Sequence, residues 1–308
     1  MHAAVVTSFD TPPQYGEYPT PVARGEHEMV VDVLAAGLHH LVRARANGTH
    51  YSSAGTLPLV AGVDGVVRDP DGKLRYAVVD DDLPGTFAER AVIDTRRSVV
   101  LPDDVDPVHV AAAMNPAMSS WVALRRRIGF REGQRVLVLG ATGSAGRMAV
   151  QIAKRFGAAH VTAAGRDTTR LAALADLGAD EVVTFDQAHR AADVDVVLDY
   201  VWGEPSARAM TAVITARRDR GAPLDWVQIG SVAGQTMPVA SSLLRAARLQ
   251  LCGSGIGSVP PRDILAELPE LVAAVHTGAI DVRARPVPLA RVAETWNGTT
   301  DDRVVFVP

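Results

Sequence analysis

Arg135-Val136-Leu137-Val138-Leu139 runs straight into Gly140-Ala141-Thr142-Gly143-Ser144-Ala145-Gly146, and no other stretch constrains the fold of this chain as much. The apolar run reads as a buried strand. After the glycines a helical pattern covers 146–156 and stops at Gly157. Glycines at this spacing allow a sharp turn, let the backbone approach a pyrophosphate, and let the helix pack against the strand. The helix N-terminus then offers free N–H groups and positive dipole character to phosphates. Alone the spacing is weak evidence. Set in a strand–loop–helix–strand context, it predicts a dinucleotide site made by Gly140, Thr142, Gly143, Ser144, Ala145 and Gly146.

The surrounding pattern supplies that context. Strands are expected at 135–139, 160–164, 181–183, 194–198, 226–229 and 249–253, with helices over 146–156 and 168–177 between the first three. Alternation with continuous apolar strands predicts a parallel sheet covered on both faces. Further helices are expected at 107–113, 119–128 and 261–276. Before residue 110 the chain reads instead as short strands and turns, among them 30–34, 91–93 and the turn Asp69-Pro70-Asp71-Gly72. The end, Val304-Val305-Phe306-Val307, returns to strand character. A β-rich start and a β tail suggest that the tail rejoins the first domain.

Cofactor choice is read at the end of the second strand. About twenty residues past the last fingerprint glycine, an NAD enzyme places a carboxylate on the ribose 2′-OH. Here the order is Ala164-Gly165-Arg166-Asp167-Thr168-Thr169-Arg170. A guanidinium at Arg166 suits a 2′-phosphate through charge-assisted hydrogen bonds, and Arg170 lies one helical turn further on. Asp167 is the complication, because a shift of one residue brings a carboxylate to the ribose. The expected cofactor is NADPH, held also by Gly165.

Bulk properties exclude several classes. The 308 residues suffice for two domains, and 47% hydrophobic with 21% charged residues describes a folded globular chain. A formal net charge of −4 gives no basic field for nucleic acid or anionic membrane. Arg125-Arg126-Arg127, and Arg217-Arg218 with Arg220, read as solvated helix ends. No apolar run reaches the roughly 18 residues of a membrane helix, and Met1-His2-Ala3-Ala4-Val5-Val6-Thr7 does not read as a signal peptide. The single cysteine, Cys252, excludes an internal disulfide and a cysteine-built zinc cluster, and fits a reducing cytoplasm.

Residues 133–146 and 149–154, with Leu177-Gly178-Ala179-Asp180-Glu181-Val182-Val183, 194–199 and Ile229-Gly230, resemble the medium-chain dehydrogenase/reductase superfamily. The opening Ala3-Ala4-Val5-Val6, Pro58, Gly62 and the terminal strand match too. The resemblance covers essentially the whole chain and is weakest over 38–90. It implies an α/β fold: a six-stranded Rossmann doubly wound parallel sheet (118–256) inserted into a mainly β, GroES-like catalytic domain (1–117 plus 257–308).

Departures from the family pattern narrow the branch. Zinc alcohol dehydrogenases of the superfamily carry a cysteine after the glycine equivalent to Gly37 and a His-Glu pair after that equivalent to Gly62. Here those places read Gly37-Leu38-His39-His40 and Gly62-Val63-Asp64. Valine cannot bind metal, and Asp64 alone does not restore three ligands. The four-cysteine structural lobe is absent as well. An unrelated site from His39, His40, His50 and Asp64 is disfavoured, because adjacent residues on a strand point apart. No metal is expected. Zinc-free members are similar to quinone reductases and enoyl or alkenal reductases, which carry Asn-x-x-Asp where this chain has His39-His40-Leu41-Val42. That leaves the substrate class open.

Without zinc, some group must donate a hydrogen bond or proton as charge grows on the substrate oxygen. His39, His40, His50 and Tyr51 are the candidates. Ser119 stands where the family has a small hydroxyl residue beside the nicotinamide, with a helix N-cap as its other reading. Gly230, Ser231, Gly253 and Ser254 follow the fifth and sixth strands, where an open sheet presents ligands. Arg303 precedes the last strand and is a phosphate candidate. The expected activity is NADPH-dependent reduction of an activated C=C bond (enone or enal) or a quinone, by hydride transfer to a small-molecule substrate. A C=N bond, a reductive cyclisation and a catalytically silent NADPH-binding relative stay open. A homodimer through the edge strand near 249–252 is expected, as in relatives.

Overall fold

The computed structural model describes every residue except Tyr51, Ser52, Ala54, Gly55, Asp81 and Thr299. The chain divides into two units, residues 116–267 and residues 1–115 with 268–308.

The first of these is built on six parallel strands: β1 (Arg135–Leu139), β2 (His160–Gly165), β3 (Glu181–Thr184), β4 (Val196–Asp199), β5 (Leu224–Gln228) and β6 (Leu249–Gly253). Their order is β3-β2-β1-β4-β5-β6, so the winding reverses between β1 and β4. Val136 faces Val161 on one side and Val196 on the other. Val136 through Leu139 have no exposed surface, as expected of a central parallel strand covered on both faces. Helices α1 (Ser144–Arg155), α2 (Thr168–Ala172) and α3 (Gly203–Ala216) follow β1, β2 and β4.

Several sequence expectations need correction. Helix α1 starts at Ser144, with Gly143 as its N-cap. The segment 168–177 is not one helix: α2 gives way to a 3-10 turn, Ala175–Leu177, closed by Gly178 at φ 98°. The expected helices at 107–113 and 119–128 are one helix, Pro107–Val122, continued by a π-helical turn over Ala123–Arg127. Pro116 lies inside it and does not end it. The buried residues Ala112, Ala113, Met114, Ala117, Ser120, Trp121 and Leu124 run on through the proline, so burial outweighs one lost backbone donor.

Arg125, Arg126, Arg127, Arg218 and Arg220 are exposed, as expected of solvated ends, but both runs also make structural bonds and Arg217 is buried. Glu267, only 2% exposed, accepts from Trp121 Nε1 at 2.8 Å, pairs with Arg125 Nε at 3.0 Å, and is bonded by Arg126 Nε. Arg217 is buried, and its guanidinium donates to the carbonyls of Ala192, Val194, Ala222 and Pro223.

In the other unit, a seven-stranded sheet runs in the order Ala284–Pro288, Arg303–Val307, Glu28–Gly37, Asp64–Arg68, Leu74–Val78, Ser98–Val100, with Arg90–Asp94 also pairing to Glu28–Gly37. A smaller sheet joins Gln14–Glu17, His2–Val6 and Leu59–Val60. The terminal strand pairs antiparallel with Glu28–Gly37, Val305 opposite Gly37 and Phe306 opposite Ala36. Phe306 stacks edge-on to Phe87 in a core that includes Val31, Val67, Ile93 and Trp296.

Candidate active site

The turn after β1 has the close packing that its glycines permit. Gly140 takes φ 83°. A Cβ on Gly146 would lie 2.3 Å from the Gly140 carbonyl oxygen and 2.7 Å from Ala141 Cα, so α1 starts directly against the turn. No side chain caps α1. The first-turn amides of Ser144, Ala145 and Gly146 therefore have neither an intrahelical acceptor nor a capping side chain, an arrangement that fits an anionic group. Thr142 reaches across, its methyl 3.0 Å from where a Cβ on Gly165 would stand at the end of β2.

Beyond Gly165, Arg166 and Asp167 play different parts. Asp167 is the N-cap of α2, its Oδ1 accepting from the amides of Thr169 and Arg170 at 3.0 and 3.1 Å. Its Oδ2 faces Arg170 Nε at 3.7 Å. The carboxylate is thus committed to its own helix. Arg166 is exposed and has no ion pair among the described residues.

At the end of β4 stands a buried carboxylate that the sequence reading did not single out. Asp199 accepts from the amides of Val201 and Trp202, the hydroxyl of Ser206 and the indole of Trp226. Burial raises its pKa, with those four donors pulling the other way. Next to it, Tyr200 meets Ser119 with hydroxyl oxygens 3.0 Å apart. Ser119 donates its only hydroxyl proton to the Pro116 carbonyl at 2.6 Å, so Tyr200 is the donor between them. Burial pushes the Tyr200 phenol up to about 12, against the pull of Ser119 and Ser120. Ser119 is therefore not a helix N-cap; it lies inside the long helix. The Asp-Tyr pair closing the fourth strand was the one signal in the sequence for these residues.

Gly230 belongs to the same edge, since a Cβ there would lie 2.7 Å from the Tyr200 carbonyl oxygen. Ser231 accepts from Gln235 Nε2 at 3.3 Å. Gly253 ends the edge strand, where its carbonyl takes Arg127 Nε, and the buried Ser254 is tied by its amide to Gln228.

In the other unit His39 and His40 are not on a strand. His39 is the extended N-cap residue before the helix His40–Ala46. It is 4% exposed, and its Nε2 lies 2.7 Å from Oδ1 of the fully buried Asp64. Tyr76 donates to Asp64 Oδ2 at 2.7 Å, and Thr86 Oγ1 to the Asp64 carbonyl at 2.8 Å. His40 is exposed. Desolvation first, then the cations Arg303 and Arg43, then His39, lower its pKa. Arg303 donates to the Leu38 carbonyl at 3.0 Å, and burial lowers its pKa to about 10. His50 is half-buried, its amide on the Ala44 carbonyl at 3.1 Å. Tyr51 lies outside the described residues. Among the described residues no three His, Cys, Asp or Glu side chains are grouped to hold a metal; His39 and Asp64 are a pair only.

Comparison with known proteins gives concordant relatives. The Zinc-binding dehydrogenase family model matches residues 145–274. The chain is 30% identical over 361 aligned positions, and over the whole of both proteins, to the probable NADPH-dependent quinone reductase tdiC of Emericella nidulans. The fold is similar to that of a quinone oxidoreductase from Thermus thermophilus, also solved with NADPH, with a TM-score of 0.82 at 24% identity over all of both chains. A mycobacterial protein, Rv1454c, complexed with NADPH, gives 0.82 at 21% identity, again over all of both chains.

Proposed function

The chain belongs to the medium-chain dehydrogenase/reductase superfamily, in its quinone oxidoreductase-like branch, and from that premise we propose an NADPH-dependent reductase of quinones or of the activated C=C bond in enones and enals. The observation that carries the reading is the division of labour after β2. Asp167 is occupied as a helix cap, while Arg166 stands exposed beside it. A carboxylate already bonded to two amides is a poor partner for a ribose 2′-OH, and an unpaired guanidinium is a good one for a 2′-phosphate.

The residues present fit the dinucleotide. The amides of Ser144, Ala145 and Gly146 take the pyrophosphate, and Arg166, with Arg170 behind it, takes the 2′-phosphate. Bound NADPH supplies the hydride. Ser119, held by Pro116 and Tyr200, presents a fixed hydroxyl oxygen on the nicotinamide side. Gly230 and Ser231 line the same edge. Of the proton-donor candidates, His39 is anchored to Asp64, whereas His40 is exposed and, with its lowered pKa, neutral at pH 7. A neutral imidazole keeps one N–H to donate to a substrate oxygen. His40 is the donor we favour, with His50 and Tyr51 from the same segment as its neighbours in sequence.

Zinc does not fit this donor set, because Val63 and the single cysteine leave too few ligands. Metal analysis of protein made without chelator should find no stoichiometric zinc. A homodimer through β6 is supported by its place at the sheet edge and by the exposure of Leu251 and Ile256 nearby. No helix among the described residues is long and apolar enough to cross a membrane, and the unpaired Cys252 agrees with a reducing, cytoplasmic setting.

The test is NADPH oxidation across a panel of quinones, enones, enals, imines and aldehydes. Turnover of quinones or enones above the rest supports the proposal. Preference for imines, or binding of NADPH with no turnover of any class, would replace it with an imine reductase or a silent relative.

A further inference from the structure

Trp202 is the one non-glycine residue with positive φ among the described residues, at φ 55° and ψ −169°. That region of backbone space belongs to glycine, since a Cβ there is strained. The next residue is a glycine, Gly203, also at positive φ. A second glycine at 202 would make the same turn without cost, so the reason for tryptophan lies in its side chain.

The surroundings hold this strained residue firmly. Asp199 Oδ1 accepts from the amides of Val201 and Trp202 at 2.9 and 3.0 Å and from Ser206 Oγ at 2.8 Å. On the other flank the amide of Ala233 donates to the Val201 carbonyl at 2.9 Å. The indole itself is half-buried, and among the described residues it makes no hydrogen bond and stacks on no ring. A large aromatic is thus held in a costly conformation without a hydrogen-bonding or ring partner among the described residues. Strain of this kind collects where a ligand is gripped.

Its place identifies the ligand. The loop 200–203 leaves the carboxyl end of β4 beside the fingerprint turn, where a Cβ on Gly140 would lie 3.0 Å from Val201 Cγ2. This is the point where the strand order reverses, and a doubly wound sheet binds its dinucleotide there, one nucleotide to each half. Arg166 marks the β1-β2-β3 half as the one for the 2′-phosphate and adenosine. The β4-β5-β6 half, with Trp202, is left for the nicotinamide nucleoside. We propose that Trp202 is an aromatic contact for the nicotinamide half of the cofactor, its strained backbone fixing the indole in place before binding. This rests on the dinucleotide reading above.

Three variants of the full chain separate ring from strain. W202F keeps a ring and the strain, W202A keeps the strain without a ring, and W202G removes both. Dissociation constants for NADPH and for NADH, and the thermal midpoint without cofactor, are measured for each. We expect W202A and W202G to bind both cofactors about five- to tenfold more weakly, as loss of an aromatic contact implies. W202F should stay within about twofold of the unaltered chain. W202G should melt above W202A, because only glycine is at ease at that φ. Affinity for both cofactors unchanged in W202A and W202G would overturn the proposal alone, and so would W202F binding as weakly as W202A. Failure of the unaltered chain to bind either cofactor would overturn the dinucleotide reading and this proposal together.

Discussion

His39 and Asp64, twenty-five positions apart, are joined by a 2.7 Å hydrogen bond from which solvent is almost excluded. Tyr76 completes the group from the opposite side of the carboxylate. Removing Asp64 would leave two buried donors, His39 Nε2 and the Tyr76 hydroxyl, without an acceptor. Asp64→Ala should therefore cost about 2–5 kcal/mol in urea unfolding, and Asp64→Asn, which keeps one acceptor oxygen, clearly less. Equal stability of Asp64→Ala and the unaltered chain would mean that the pair holds nothing together.

Arg217 and Arg218 are adjacent and should behave differently. Arg217 satisfies four carbonyls from a buried position, and Arg217→Ala strands them, at a cost of about 3–5 kcal/mol. The Arg218 side chain is 90% exposed and among the described residues pairs only with Asp193, so Arg218→Ala should unfold at the same denaturant concentration as the unaltered protein. Similar losses in both variants would contradict the assignment of Arg217 as an internal strut.

The pH response of His40 has a definite sign. Its folded pKa lies below the ordinary 6.5, so the unfolded chain takes up the proton first as pH falls. Stability is then lost on acidification through 6.5 and kept above it. His40→Gln should show a smaller drop in thermal midpoint between pH 7.5 and pH 5.5 than the unaltered chain. An equal drop would show that His40 is not held neutral by desolvation and the nearby Arg303 and Arg43.

The edge strand carries the assembly prediction. Leu251 is 37% exposed on β6, which among the described residues pairs only with β5. Light scattering should report a dimer at micromolar concentration, and Leu251→Lys a monomer. A monomeric unaltered chain would remove the interface.

What could be read in the sequence was what local chemistry dictates. Glycine sterics and an apolar run made the turn at 140–146 legible, and short, mostly apolar stretches, some broken by Asp195, Gln228 or Gln250, marked the six parallel strands to within about two residues. The 261–276 helix was read with its observed bounds because its apolar periodicity is unbroken. The break read between 113 and 119 was wrong, because burial continues on both sides of Pro116. Arg217 misled for a related reason: a charge looks solvated until the distant partners that satisfy it are known. His39 with Asp64, and Ser119 with Tyr200 eighty-one positions away, are long-range pairs that no periodicity contains. The positive φ of Trp202 contradicts local preference outright, so only the folded chain could reveal it.

Arg166 is proposed to select NADPH by its 2′-phosphate while Asp167 is held away as a helix cap. That selection is tested by the dissociation constants of NADPH and NADH for the unaltered chain and for Arg166→Ala. Loss of a charge-assisted contact should weaken NADPH binding by roughly 1.5–3 kcal/mol, or about ten- to a hundredfold, and leave NADH almost unchanged. Arg170→Ala should show a smaller version of the same asymmetry. Equal losses for both cofactors, or a preference of the unaltered chain for NADH, would show that Arg166 does not read the 2′-phosphate.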